Sequence, residues 1–230
     1  MSHIRTGISG TYYGSYFNES KSLTREQMQK NASYIYTWLT EVSGWSLNAI
    51  AGLLGNMQAE SSINPGRWQS ENIGNMSGGY GLVQWTPASS YINWCYEYFG
   101  ENSDPSMMDW QLNRIIYELQ NGIQYYKTPD YNLSFSEFST SSESPYYLAC
   151  AFAWNYERSY TVLYGTEAEK EALRKLRGGY ANAWYTYLSG SEPPDPVDPP
   201  TPDPDNPTTQ LNKKRRYNFL LFTARKRLRR

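Results

Sequence analysis

The chain is short of the side chains on which much hydrolytic and metal chemistry depends. Its 230 residues hold one histidine, His3, and two cysteines, Cys95 and Cys150. A Ser–His or Cys–His nucleophile, a histidine metal centre and a CxxC zinc site are therefore not expected, and no metal or cofactor is assigned. Two thiols cannot staple a scaffold; both lie in apolar helical patterns and read as buried free thiols. Long hydrophobic runs are missing too. No stretch approaches the roughly 20 apolar residues that span a bilayer. The N-terminus lacks a basic region followed by an apolar one, so neither a secretory signal nor a transmembrane helix is expected. Aromatics, by contrast, abound: 22 tyrosines, eight tryptophans and seven phenylalanines. A mean hydropathy of −0.72 therefore does not signal disorder, because disordered chains are poor in such rings.

A net charge of −1 conceals three unlike segments. Residues 1–190 carry a net −5, residues 191–210 add five acids and no base, and residues 211–230 hold nine Lys/Arg and no acid. Eight of the thirteen prolines fall within 193–207, interleaved with Asp; that composition makes an extended polyproline-type spacer. The division is an N-terminal arm (1–23), a globular domain (24–190), an acidic Pro-rich linker (191–210) and a basic tail (211–230). The tail, LNKKRRYNFLLFTARKRLRR, suits anionic wall polymers or a membrane surface, with nucleic acid disfavoured as a partner.

The globular part reads as α+β and predominantly α-helical. Thr24 and Gln27 form a capping-box pattern, and Met28, Ala32, Ile35, Leu39 and Val42 recur at helical spacing up to Gly44. A second helix opens at Ser46 and ends before Asn64-Pro65-Gly66. Thr86-Pro87, Asp104-Pro105 and Ser144-Pro145 each predict a helix start, with a capping residue before a proline at the first helical position. These helices run toward Phe99, Asn121 and Asn155. Thr166 and Glu169 open a last helix toward Leu188, which Gly178-Gly179 could interrupt. Tyr80 to Trp85 reads as a short strand in a Gly-rich hairpin.

Three segments could carry chemistry. In Gln58-Ala59-Glu60-Ser61, Glu60 falls beside Leu53 at the edge of the buried stripe, in the last turn of its helix. The helix macrodipole puts negative charge there, so a half-desolvated carboxyl is expected to keep its proton toward neutral pH and to serve as a general acid. In Gly78-Gly79-Tyr80-Gly81-Leu82-Val83-Gln84-Trp85, Gln84 offers an amide and Trp85 a flat face suited to a sugar ring, with Tyr80 beside them. No Lys-Ser/Thr follows the glycines, which excludes a phosphate loop. In Ala153-Trp154-Asn155-Tyr156-Glu157-Arg158-Ser159, Tyr156 is placed to hydrogen-bond the site and Glu157 to pair with an arginine such as Arg158.

The order of these segments carries more than any one of them. LNAIAGLLGNMQAESSINPGRWQ, then GGYGLVQWTPASSYINW, then AFAWNYERS closely resembles the phage tail lysozyme family, over roughly residues 24–190. That family includes the N-terminal lysozyme domain of the tail-tip knob protein of small podophages. The resemblance implies a lysozyme-like fold with a small β-hairpin region beside the cleft, and a virion-borne glycosidase cutting the glycan strands of bacterial peptidoglycan. It implies location in the phage tail, with other tail proteins as neighbours. By position, Glu60 matches the family's catalytic glutamate, Gln84 its cleft-lining strand, and Tyr156-Glu157-Arg158 its late-helix motif.

The second carboxylate is left open. A retaining glycosidase sets it about 5 Å from the first, an inverting one ~6.5–9.5 Å away, and the intervening loop offers Glu71. If Glu71 points away, a single-glutamate mechanism of the lytic transglycosylase kind remains. The alternative of another class is a non-catalytic glycan-binding tail module, against which Glu60 speaks.

Overall fold

The computed structural model describes residues 15–191. Residues 1–14, the acidic linker beyond its first residue and the whole basic tail lie outside the described residues, and so do the readings attached to them. The described part is predominantly helical. Helix α1 (Arg25–Ser43) opens with the expected capping box: Gln27 N–H donates to Thr24 Oγ1, Gln27 Oε1 accepts from Thr24 N–H, and Gly44 closes it at φ 67°. Helix α2 (Leu47–Ser61) is capped by Ser46 and buried almost continuously from Ala49 to Met57. A helix apolar on all sides belongs at the centre of a domain, and α2 is packed between α6 (Pro145–Phe152) and α8 (Glu167–Ser189).

The close approach of α8 to α2 depends on small residues. A Cβ added at Gly55 would lie 2.7 Å from the carbonyl oxygen of Arg177 and 2.9 Å from the amide of Ala181. At Gly178 it would lie 2.2 Å from the Tyr146 ring. Helix α8 therefore runs straight through Gly178-Gly179 without the interruption allowed for. Neither glycine is a break: Gly178 is a contact point with α6, and Gly179 has open space beside it.

Two helix starts differ from expectation. Helix α3 (Ala88–Phe99) has Pro87 as its cap and not its first residue, after a cis Thr86–Pro87 bond. Helix α4 (Met108–Asn121) begins three residues after Pro105. The Asp104 carboxylate there accepts from the amide and hydroxyl of Ser106, so it makes a turn of its own ahead of the helix. Ser144-Pro145 behaves as predicted. Helices α5 (Phe135–Thr140) and α7 (Tyr160–Tyr164) went unanticipated; with six and five residues they are too short to show a period.

The expected hairpin region is reduced to isolated antiparallel pairings, Trp68 with Tyr80 and Tyr80 with Trp85. Gly81 at φ 81° and Gln84 at φ 49° turn the chain back on itself, so Tyr80 and Trp85 exchange both backbone hydrogen bonds across a tight loop. That segment is a turn and not a strand. Cys95 and Cys150 are buried free thiols, as their apolar surroundings suggested. Among the described residues no helix is long and apolar enough to cross a membrane.

Candidate active site

Glu60 lies in the last turn of α2, and its side chain retains 22% of its exposure. It borders a groove of about 850 Å³. It does not stand alone at the helix end. Arg177, from the middle of α8, donates Nη2–H to Glu60 Oε1 and Nη1–H to the Asn56 carbonyl, the latter at 3.0 Å. The Arg177 side chain is only 8% exposed. It reaches both acceptors because Gly55 lets the α8 backbone lie directly on α2. Neighbouring Gln58 is also tied to α8, its Oε1 accepting the indole N–H of Trp184 at 2.8 Å.

A loop wall, residues 62–87, forms one side of the groove. It is pinned from beneath by buried polar groups. Ser61 Oγ donates to the Leu82 carbonyl at 2.8 Å, and Gln111 accepts from the Leu82 amide at 2.8 Å while donating to the Pro65 carbonyl. Gln84 borders the groove, as expected, with its amide donating to the carbonyls of Arg67 and Gly81. Trp85 also borders it but offers no open ring face. It is 6% exposed and stacked on Tyr91 at 4.6 Å. Tyr80 is 4% exposed, packed between Trp68 and Tyr91, and stands outside the lining. The flat face open to a ligand belongs instead to Tyr160, which is 79% exposed at the groove's edge. Glu71 stands outside the lining too. Its carboxylate is 65% exposed and pairs with Arg67 at 3.1 Å across the surface of the loop.

The facing wall comes from α4 and from a π-helical turn, Ala153–Glu157, that continues α6. The extra residue in that wide turn is closed by the Arg158 amide bonding back to the Ala153 carbonyl, five residues earlier. It sets Tyr156 and Glu157 on the groove, and such turns recur at functional sites. The Tyr156 hydroxyl donates to Glu118 Oε2, while Glu118 Oε1 accepts from the Trp85 indole at 3.0 Å and from Arg114 Nε at 2.8 Å. Burial pushes the Glu118 carboxyl upward, and the Arg114 guanidinium together with these hydrogen bonds pulls it back.

Glu157 is in a different state. Its Oε1 is shut off from solvent and has no hydrogen-bond partner. Burial, and then the charge of Glu60, push its carboxyl well above the ordinary range; Arg177 opposes this and Glu118 adds to it. The expected pairing with Arg158 is not made. Arg158 turns away at φ 49° and lies over the Tyr126 ring, 5.0 Å from its centroid. The cation that acts on Glu157 is Arg177.

The residues that sequence reading missed are Arg177, Glu118, Arg114 and Tyr160; the first three are remote from the three motifs along the chain, and Tyr160 follows directly on the last of them. No local pattern marks them. Only Glu118, a charged residue at a core-facing position of an amphipathic helix, left a trace that could have been followed. Among the described residues no group of three or more His, Cys, Asp or Glu could hold a metal ion.

A family model described as phage tail lysozyme matches residues 30–188. The chain is 41% identical over 175 residues to morphogenesis protein 1 of Bacillus phage B103, covering 76% of this chain and 44% of that protein. The chain thus spans less than half the length of that relative. With a helical core, a carboxylate at the end of its central helix and a family match across nearly the whole described domain, the chain belongs to the phage tail lysozyme family.

Proposed function

We propose that this domain cleaves the glycan strands of bacterial peptidoglycan as part of a phage tail, with Glu60 as the general acid. The carrying observation is the place of Glu60: a partly shielded carboxyl at the end of the central helix, bordering a groove of about 850 Å³. That volume lies in the usual range for ligand sites, about 300–1,000 Å³. A disaccharide unit in the groove would meet the Gln84 amide on one wall and the Tyr160 ring at the edge. Glu60 then delivers a proton to the oxygen joining the two sugars, and the C–O bond breaks with its electrons leaving on that oxygen. Arg177 steadies the carboxylate that results. The family and the phage relative support a tail-associated, lysozyme-like role, in which other tail proteins are the natural neighbours.

A single-glutamate transglycosylase is the second reading. It is favoured by the position of Glu71 outside the groove and by the full engagement of Glu118 with three donors. Glu60→Gln tests the common core of both readings. It keeps shape and hydrogen bonding but removes the transferable proton, and clearing of a peptidoglycan suspension should fall by roughly 10²–10⁴-fold. Clearing at the wild-type rate would reject the assignment. Mass spectrometry of the products separates the two readings, since hydrolysis leaves reducing ends and transglycosylation leaves anhydro ends.

A further inference from the structure

The two most exposed large hydrophobic side chains among the described residues are neighbours. Tyr160 is 79% and Tyr164 71% exposed, and their ring centroids lie 5.1 Å apart with the planes tilted by 47°. They stand one turn apart on the short helix α7 and so share one of its faces. Leu163, beside Tyr164 in the chain, is exposed as well, while Val162 is the buried residue that holds the helix to the body. Single apolar side chains on a surface need no explanation, but a contiguous exposed patch marks a place where something binds.

This patch is continuous with the groove. Tyr160 belongs to both: it borders the cavity that Glu60 borders, and it packs against Tyr164, which stands outside the lining. Ser159 borders the groove at the same end. It occupies the N-cap of α7 yet makes no side-chain capping bond, although a serine at that position ordinarily gives its oxygen to the helix. An uncommitted hydroxyl and a run of open aromatic surface therefore meet at one edge of the cavity.

We propose that Tyr160 and Tyr164 form an aromatic ledge that carries the glycan strand out of the groove, with Tyr164 holding a sugar beyond those at the scissile bond and the Ser159 hydroxyl pairing with the strand at the edge. The ligand is a chain of β-linked amino sugars, and the consequence is a preference for long strands over short fragments. The inference rests on the reading of the groove as a glycan site and extends it past the groove's edge. A β-linked pyranose presents C–H bonds on its faces and hydroxyls around its rim. A tyrosine ring covers such a face while its own hydroxyl stays in water, and with few rotatable bonds it loses little entropy when a ligand settles on it. Continuity selects the occupant: a strand that lies across Glu60 and leaves the groove at this edge passes over Tyr160 and meets Tyr164 next. Contacts remote from the reacting bond can be spent on orienting and distorting the sugar there, so a chain long enough to reach the ledge should be cut faster as well as bound more tightly.

The test uses peptide-free peptidoglycan glycan fragments, from tetrasaccharide through hexasaccharide to octasaccharide, with wild type, Tyr164→Ala and Tyr164→Phe. Initial cleavage rates give kcat/KM for each length, and calorimetric titration of the same Tyr164 variants in a Glu60→Gln background gives affinity without turnover. Thermal melts verify the fold, which a change at so exposed a side chain should leave intact. For the wild type both quantities should rise with length. Tyr164→Ala should bind the longest fragment roughly three- to tenfold more weakly and flatten that rise, and Tyr164→Phe, which keeps the ring face, should restore most of it. Wild-type behaviour of Tyr164→Ala at every length, a loss equal at every length, or a Tyr164→Phe protein as impaired as Tyr164→Ala overturns the ledge. The two readings fail separately. Cleavage that survives Glu60→Gln, with a length-dependent loss in Tyr164→Ala, would sink Glu60 as the acid and leave the ledge standing; cleavage abolished by Glu60→Gln but indifferent to Tyr164 would sink the ledge alone.

Discussion

Two acids on the same groove wall have opposite fates. Glu118 is 1% exposed yet receives three donors, from Trp85, Arg114 and Tyr156. Glu157 is more open as a residue yet has an oxygen with no partner at all. The first arrangement uses an acid as mortar: it ties α4, the loop wall and the π turn together, each donor closing one junction. The second leaves an acid without such donors: one of its oxygens has no partner, and the one cation acting on it, Arg177, is already bound to another carboxyl. Burial raises both acids; what separates them is the supply of donors. Hydrogen bonds, more than depth, decide whether a buried carboxyl is inert or chemically available.

Substitutions should separate the two acids by the size and pH dependence of their effects. Glu118→Gln leaves the largely buried Arg114 without its counter-charge, and breaking such a pair costs about 3 kcal/mol or more. Urea denaturation should show that loss at every pH where the wild-type pair is ionised; a loss below ~1 kcal/mol would erase the distinction between the two acids. Tyr156→Phe removes one of the three donors to a charged group and should cost about 2 kcal/mol, with Glu60→Gln-like loss of clearing not expected. Glu157→Gln should behave in the opposite sense. A carboxyl that is neutral when folded but ionised when unfolded contributes its full stability below the ordinary carboxylate range, and that contribution is lost as pH rises toward the folded-state value. The variant should therefore match wild type near pH 4 and become the more stable protein toward pH 8, which thermal melts at the two pH values will check. Smallest of all, Glu71→Gln disturbs a surface pair and should change stability by less than ~0.5 kcal/mol with clearing unaltered. A marked loss of clearing would return Glu71 to the list of second carboxylates.

Much of the scaffold was legible because its signals are local. The capping boxes at Thr24 and Thr166, the caps at Ser46 and Ser144 and the closing Gly44 each act within about four residues, and each formed as read. Glu60 could be placed at the edge of a buried stripe by helical geometry alone. Trp85 and Tyr80 show where this ends. An aromatic beside glycines can face a ligand or a neighbour, and here Tyr91, six residues beyond Trp85 and on another element, covers them. The strand expected at Tyr80–Trp85 failed for a related reason: positive φ at Gly81 and Gln84 turned the chain before a ladder could extend.

By itself, then, the sequence determined most of the longer helices with the caps of α1, α2, α6 and α8, the burial of both thiols and the position of one acid at the end of the central helix, since all of these follow from interactions within a few turns of chain. Tertiary structure alone decided what that acid faces. Arg177 arrives from 117 residues away because Gly55 lets one helix lie on another, and Glu157 is turned inward by a π-helical turn that no residue pattern announces. Electrostatics depends on distances through space, and the chain order does not contain them.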